Sequence, residues 1–140
     1  MSGINSGRWL LGGVVAGIVI WICEGVAATL TMDQMTAVME SHGLSMAMSA
    51  GTAVLTIVVS LLVGLTMVFF YAGVRPRFGA GPRTAVIVAV ALWLGSYVVS
   101  LIGYYLINLY PPRMLLHWGL IGLLEMILAS IVGAWIYRER

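Results

Sequence analysis

Four apolar runs in this chain contain no arginine or lysine. They extend over about Trp9 to Leu30, Met48 to Tyr71, Thr84 to Leu109 and Met114 to Tyr137, and the only carboxylates inside them are Glu24 and Glu125. About 20 apolar residues, at roughly 1.5 Å each, cross the hydrocarbon core of a bilayer. Each run is therefore long enough to span it with some tilt. The backbone finds no water there, so each run is expected to be a helix. Strands of a transmembrane barrel would be shorter and would alternate apolar with polar residues, as these do not. The sequence thus predicts an all-α four-helix transmembrane bundle, with residues 1–140 forming a single transmembrane domain and facing the lipid bilayer.

Composition closes off the other classes. The 140 residues are 61% hydrophobic and 9% charged, with a mean hydropathy of +1.05. A soluble domain carries about a quarter charged residues, so a solvated globule and a disordered chain are both excluded. All seven basic residues are arginine and they form no basic face, which argues against nucleic acid as a partner. Cys23 is the only cysteine, so no intramolecular disulfide or cysteine-pair site can form; it reads as a small packing residue. No nucleophile–base pair, phosphate loop or metal-ligand spacing is present, so neither catalysis nor a cofactor is expected. A haem held by two histidines would need them at matching depth, whereas His42 lies in a connection and His117 in a span.

The first run, preceded by Arg8 and ending near Val26-Ala27-Ala28, has features of a signal peptide; we read it as an uncleaved first span. Between spans two and three, Pro76 is expected to bar helix continuation, the glycines of Gly79-Ala80-Gly81 to permit reversal, and Pro82 to open the third helix. Leu109-Tyr110-Pro111-Pro112-Arg113 makes a second sharp turn. The connection Thr31–Ala47 places Met32, Met35 and Met39 on one helical face and Asp33 and Glu40 on another. It suits a short interfacial helix or an extension of span one. Threaded through four spans, Arg8, Arg75, Arg77, Arg83, Arg138 and Arg140 share one side, and Arg113 falls opposite with Asp33 and Glu40. Positive residues stay inside, so both termini are expected to be cytoplasmic, in a bacterial inner membrane.

A charged group at mid-span costs about 2.5–3.5 kcal/mol on the lenient insertion scale, so neither Glu24 nor Glu125 is expected to face lipid. Small residues share or border their faces: Gly13, Gly17 and Ala28 near Glu24, and Ala129, Gly122 and Gly133 near Glu125, with Trp118 on the same side. Gly13 and Gly17 form a GxxxG pair that permits close helix approach. On span three Trp93, Tyr97, Ser100 and Tyr104 form one stripe, and Ser60 lies on a Thr/Ser stripe of span two. Depth along the helices groups Glu24 with His117 and Tyr104, and Glu125 with Tyr97 and Ser60. These groups either join helices by hydrogen bonds or form an intramembrane proton or cation site. Met32, Met35, Met39, Met46, Met48 and His42 supply soft ligands that would suit Cu(I); apolar facing of an interfacial helix explains the same spacing.

The loop Arg75-Pro76-Arg77-Phe78-Gly79-Ala80-Gly81-Pro82-Arg83-Thr84-Ala85, followed by Leu92-Trp93-Leu94, resembles a stretch in small uncharacterised four-span bacterial integral membrane proteins. That resemblance, extended through Glu24, Glu125 and Gly133–Glu139, implies the topology and carries no activity. Leu11-Gly12-Gly13 followed by Glu24 and Thr29 is similar in architecture to the first span of small multidrug resistance transporters. Here the glutamate lies further along, the connections are longer and a second glutamate occupies span four. Two functional classes follow. One is a non-catalytic accessory or scaffolding subunit acting through helix packing on other membrane subunits. The other is a homo-oligomeric proton-coupled carrier or channel for a small solute or cation, using Glu24, Glu125 or both.

Overall fold

The computed structural model describes residues 4–45 and 49–137. Met46, Met48, Arg138 and Arg140 therefore lie outside the described residues. Four long helices make up the architecture: α1 (Ser6–Ser41), α2 (Ala50–Phe78), α3 (Pro82–Leu106) and α4 (Pro112–Ile136). All four are long and apolar enough to cross a membrane, and the protein is a four-helix integral membrane bundle.

Local chemistry sets the ends. Asn5 caps α1 by accepting from the Arg8 N–H at 3.3 Å. Ser49 and Thr52 cap α2 reciprocally, and Pro82 and Pro112 occupy first turns, where a missing N–H costs nothing. At the α2–α3 turn Gly79 and Gly81 have φ of 87° and 131°, values that a residue with a side chain adopts only under strain. Thr84 ties this turn by donating to the Gly79 carbonyl at 2.7 Å, and Tyr71 accepts from the Gly81 N–H at 3.0 Å.

The connection after span one takes the second of its two expected forms, an extension of that span: α1 runs unbroken for 36 residues, about 54 Å of rise. Two local expectations are corrected. Pro76 does not stop α2, which continues to Phe78. Its missing N–H falls in the last turn, and the helix ends at Gly79, whose N–H still reaches the Arg75 carbonyl at 2.8 Å. Within α3, Trp93–Val98 is a π-helical segment. A wide turn shifts the angular register of everything after it, and the expected single stripe is broken there. Trp93 and Tyr97 are half-buried, whereas Ser100 and Tyr104 are exposed.

Helix α4 sits against all three others. Helix α1 packs along α2 and α4, and α3 along α4 and α2, but no Cα of α1 comes within 8 Å of α3 among the described residues. The main core gathers Ala16, Met67, Val68, Tyr71, Ala85, Met126, Ala129 and Tyr137. It occupies the half that holds both described chain ends and the α2–α3 turn, here called the arginine end. A second, small cluster of Tyr110, Met114 and Leu115, flanked by Met35, Met39, Leu101 and Trp118, closes the distal end.

Candidate functional site

Between the two cores, three helices each contribute a titratable side chain. Glu24 follows Ile20 of the main core and precedes Met35 of the distal cluster. Tyr97 lies between Trp93 and Leu101, and Glu125 between Trp118 and Met126. Glu125 is buried, at 5% exposure, and its Oε2 has no hydrogen-bond partner among the described residues. Glu24 lies within electrostatic range of Glu125, and Tyr97 and Cys23 lie within range of both. The Tyr97 ring covers Gly122, one turn before Glu125: a Cβ there would come within 2.5 Å of Tyr97 Cζ. A glycine at 122 is what lets the Tyr97 ring lie against α4 one turn from Glu125. No cation faces the pair among the described residues.

Glu24 departs from its expected surroundings. It is exposed, because α1 and α3 stand apart and α2 buries no residue between Ala50 and Val59. The elongation of α1 also places Glu24 near mid-helix rather than near an end. The expected depth groups regroup accordingly. His117 is exposed, and its Nδ1 bonds the Arg113 carbonyl of its own helix at 2.8 Å. Tyr104 stacks edge-on against Tyr110 at 5.6 Å. Ser60 is buried but donates to the Thr56 carbonyl of its own helix, and Ser100 likewise donates to Ser96. Of these sequence-predicted polar residues, Glu24, Tyr97 and Glu125 are within electrostatic range of one another.

The small residues lie elsewhere. A Cβ on Gly13 would come within 2.7 Å of Leu65 Cα, and one on Gly17 within 2.7 Å of Leu61 Cα. Gly133 faces Val68 and Ala16, with Gly12 against the Gly133 carbonyl. Ala129 is fully buried. Of the sulfur residues, Met32 is exposed and Met35 accepts from the Thr31 hydroxyl at 3.8 Å. Met39 accepts from Tyr110 at 3.9 Å, and His42 turns back to the Val38 carbonyl at 2.8 Å. Met35 and Met39 both pack on the distal cluster.

Several structural residues escaped the sequence reading. Gly64 lies where α1 and α2 approach most closely, against Gly13 and Gly17; its four-residue spacing from Ser60 was the available signal. Three side chains cross between helices to backbone carbonyls: Trp9 to Leu65 at 2.9 Å, Trp93 to Gly119 at 2.9 Å and Ser130 to Ala85 at 2.8 Å. Comparison of the chain with family models, curated proteins and solved structures finds no match in any of the three.

Proposed function

We propose that this integral membrane protein is a non-catalytic subunit of a larger complex in a bacterial inner membrane, and that it receives another membrane helix on the open side of its distal half. The observation that carries this reading is the exposure of Glu24 near the middle of a membrane helix. Against lipid, such a group costs about 2.5–3.5 kcal/mol; an adjoining helix that supplies a hydrogen-bond donor removes that cost. Native mass spectrometry after gentle extraction tests it. Other chains at fixed stoichiometry support the subunit reading, and particles containing only this chain overturn it.

Orientation follows from the arginines. Arg8, Arg75, Arg77 and Arg83 cluster at one end and Arg113 at the other, which supports cytoplasmic termini. In a Cys23→Ala background, an impermeant thiol reagent outside cells is expected to label Ser41→Cys and spare Ala80→Cys. The reverse pattern would invert the topology.

The electrostatic proximity of Glu24, Tyr97 and Glu125 also supports the second reading, a homo-oligomeric proton-coupled carrier. Under it, self-only particles in vesicles would conduct protons, and Glu125→Gln would stop the flux while leaving the fold intact.

A further inference from the structure

We propose that the groove between α1 and α4 at the arginine end binds one anionic phospholipid, with its phosphate on Arg8 and an acyl chain along the apolar walls. The groove holds about 390 Å³ and is lined by Arg8, Leu11, Val15, Trp135 and Ile136. Its shape follows from the packing beside it. Gly12 brings α1 so close to α4 that a Cβ there would come within 2.8 Å of the Gly133 carbonyl oxygen. The larger side chains next to that contact, Leu11 and Val15 on α1 and Trp135 and Ile136 on α4, then stand as two walls. Neither Glu24 nor a partner helix has a part in this site.

Charge and depth select the ligand. Arg8 is the last charged residue before the first apolar run, so its guanidinium reaches headgroup level. It is exposed, and its side chain makes no hydrogen bond or ion pair among the described residues. Leu11 and Val15 follow on the same face, about 4.5 and 10 Å deeper by helix rise. Trp135 is 74% exposed in the last turn of α4, the level at which membrane tryptophans meet lipid headgroups. A guanidinium offers a phosphate paired N–H donors, and the aliphatic walls below it suit a hydrocarbon chain. Six arginines flank the spans on this side against one carboxylate, Glu139, which lies outside the described residues. That positive field favours a lipid of net negative charge over a zwitterion.

Other occupants fit less well. A free phosphate would use Arg8 and leave the apolar walls uncovered. A helix about 10 Å across would fill the groove's 390 Å³ within about one turn, too little contact to hold it. An acyl chain is thin enough to follow the groove from Leu11 to Val15, and the bilayer already supplies it at this depth.

The test uses the full chain in maltoside detergent with equal amounts of phosphatidylglycerol and phosphatidylcholine, read by native mass spectrometry. One phosphatidylglycerol is expected to be retained in about fivefold excess over phosphatidylcholine, a difference of about 1 kcal/mol, the size of one arginine's contribution at an anionic membrane surface. Arg8→Gln is expected to abolish the excess and Arg8→Lys to keep most of it. Arg77→Gln, exposed at the same end but outside the groove, is expected to leave it unchanged. Phosphatidylglycerol brominated on its acyl chains is expected to quench tryptophan emission strongly in the native chain and clearly less in Trp135→Phe. Glycerol 3-phosphate is expected not to displace the lipid. Equal retention of the two lipids, or an excess that survives Arg8→Gln, overturns the proposal. So does an equal loss in Arg77→Gln, which would show a diffuse charge effect, or displacement by glycerol 3-phosphate, which would show a site for free phosphate. Equal quenching in Trp135→Phe, or a dimer that sheds phosphatidylglycerol as it forms, also overturns it.

Discussion

The arginine-end half and the distal half of this bundle are held together by different means. At the arginine end, backbones meet directly: Gly13 and Gly17 on Gly64, and Gly12 on Gly133. Side chains there cross to carbonyls of neighbouring helices, Trp9 to Leu65 and Ser130 to Ala85. The rim is laced by Tyr71 and Tyr137 rings in edge contact at 6.1 Å, with the Arg75 guanidinium over Tyr137 at 5.8 Å. In the distal half no glycine among the described residues brings α1 and α2 together. An aromatic and sulfur cluster joins α1 to α4 at the tip, with Tyr110 on Trp118 at 4.8 Å and on the Met39 sulfur. In lipid, helices associate through close packing and hydrogen bonds rather than through hydrophobic exclusion. Between α1 and α2 the distal half has no such close approach among the described residues, so it stays open there, and Glu24 lies on that opening.

The contrast breaks most readily at Gly64. A leucine there must push apart the backbones of Gly13 and Gly17, and overpacking of that kind costs about 3 kcal/mol or more when backbone must move. Gly64→Leu is expected to collapse the melt in detergent, whereas Gly73→Leu, facing open space, is expected to leave it nearly unchanged. Comparable losses in both would show that the close approach carries no special weight.

Glu24→Leu is expected to act in the opposite direction. It removes an exposed mid-membrane carboxylate and is expected to stabilise the isolated chain by up to about 3 kcal/mol on the insertion scale, read as resistance to unfolding by added SDS. A loss of stability would mean that Glu24 is already satisfied within the chain. The smallest effect is expected at Ser130→Ala, which removes one interhelical hydrogen bond and costs about 0.6–1.7 kcal/mol by the same titration. The equivalent change at Ser100, whose hydroxyl bonds its own helix on an exposed face, is expected to be neutral.

The number of helices and the turn at Gly79–Gly81 were legible because long apolar runs and Gly/Pro punctuation act locally. Three features were not. The continuation of α1 to Ser41 was ambiguous because Asp33 and Glu40 lie on one face of a segment that is still helical in pattern. The π-helical segment at Trp93–Val98 has no distinct spacing signature, yet it moves Ser100 and Tyr104 out of the stripe that Trp93 and Tyr97 begin. Above all, adjacency is a property of the packed bundle. Helices that are apolar on every side do not declare their neighbours, so the separation of α1 from α3, which exposes Glu24, could not be read from either helix alone. The electrostatic proximity of Glu24 and Glu125 depends on that adjacency and on the full length of α1.

The two carboxylates differ in exposure: Glu24 is exposed and Glu125 is enclosed. A lipid-soluble carbodiimide, reacted with the isolated chain in vesicles and mapped by peptide mass spectrometry, addresses that difference directly. Glu24 is expected to be modified several-fold faster than Glu125. Modification of Glu125 as fast as Glu24, or a Glu24 already protected in the isolated chain, would contradict the account.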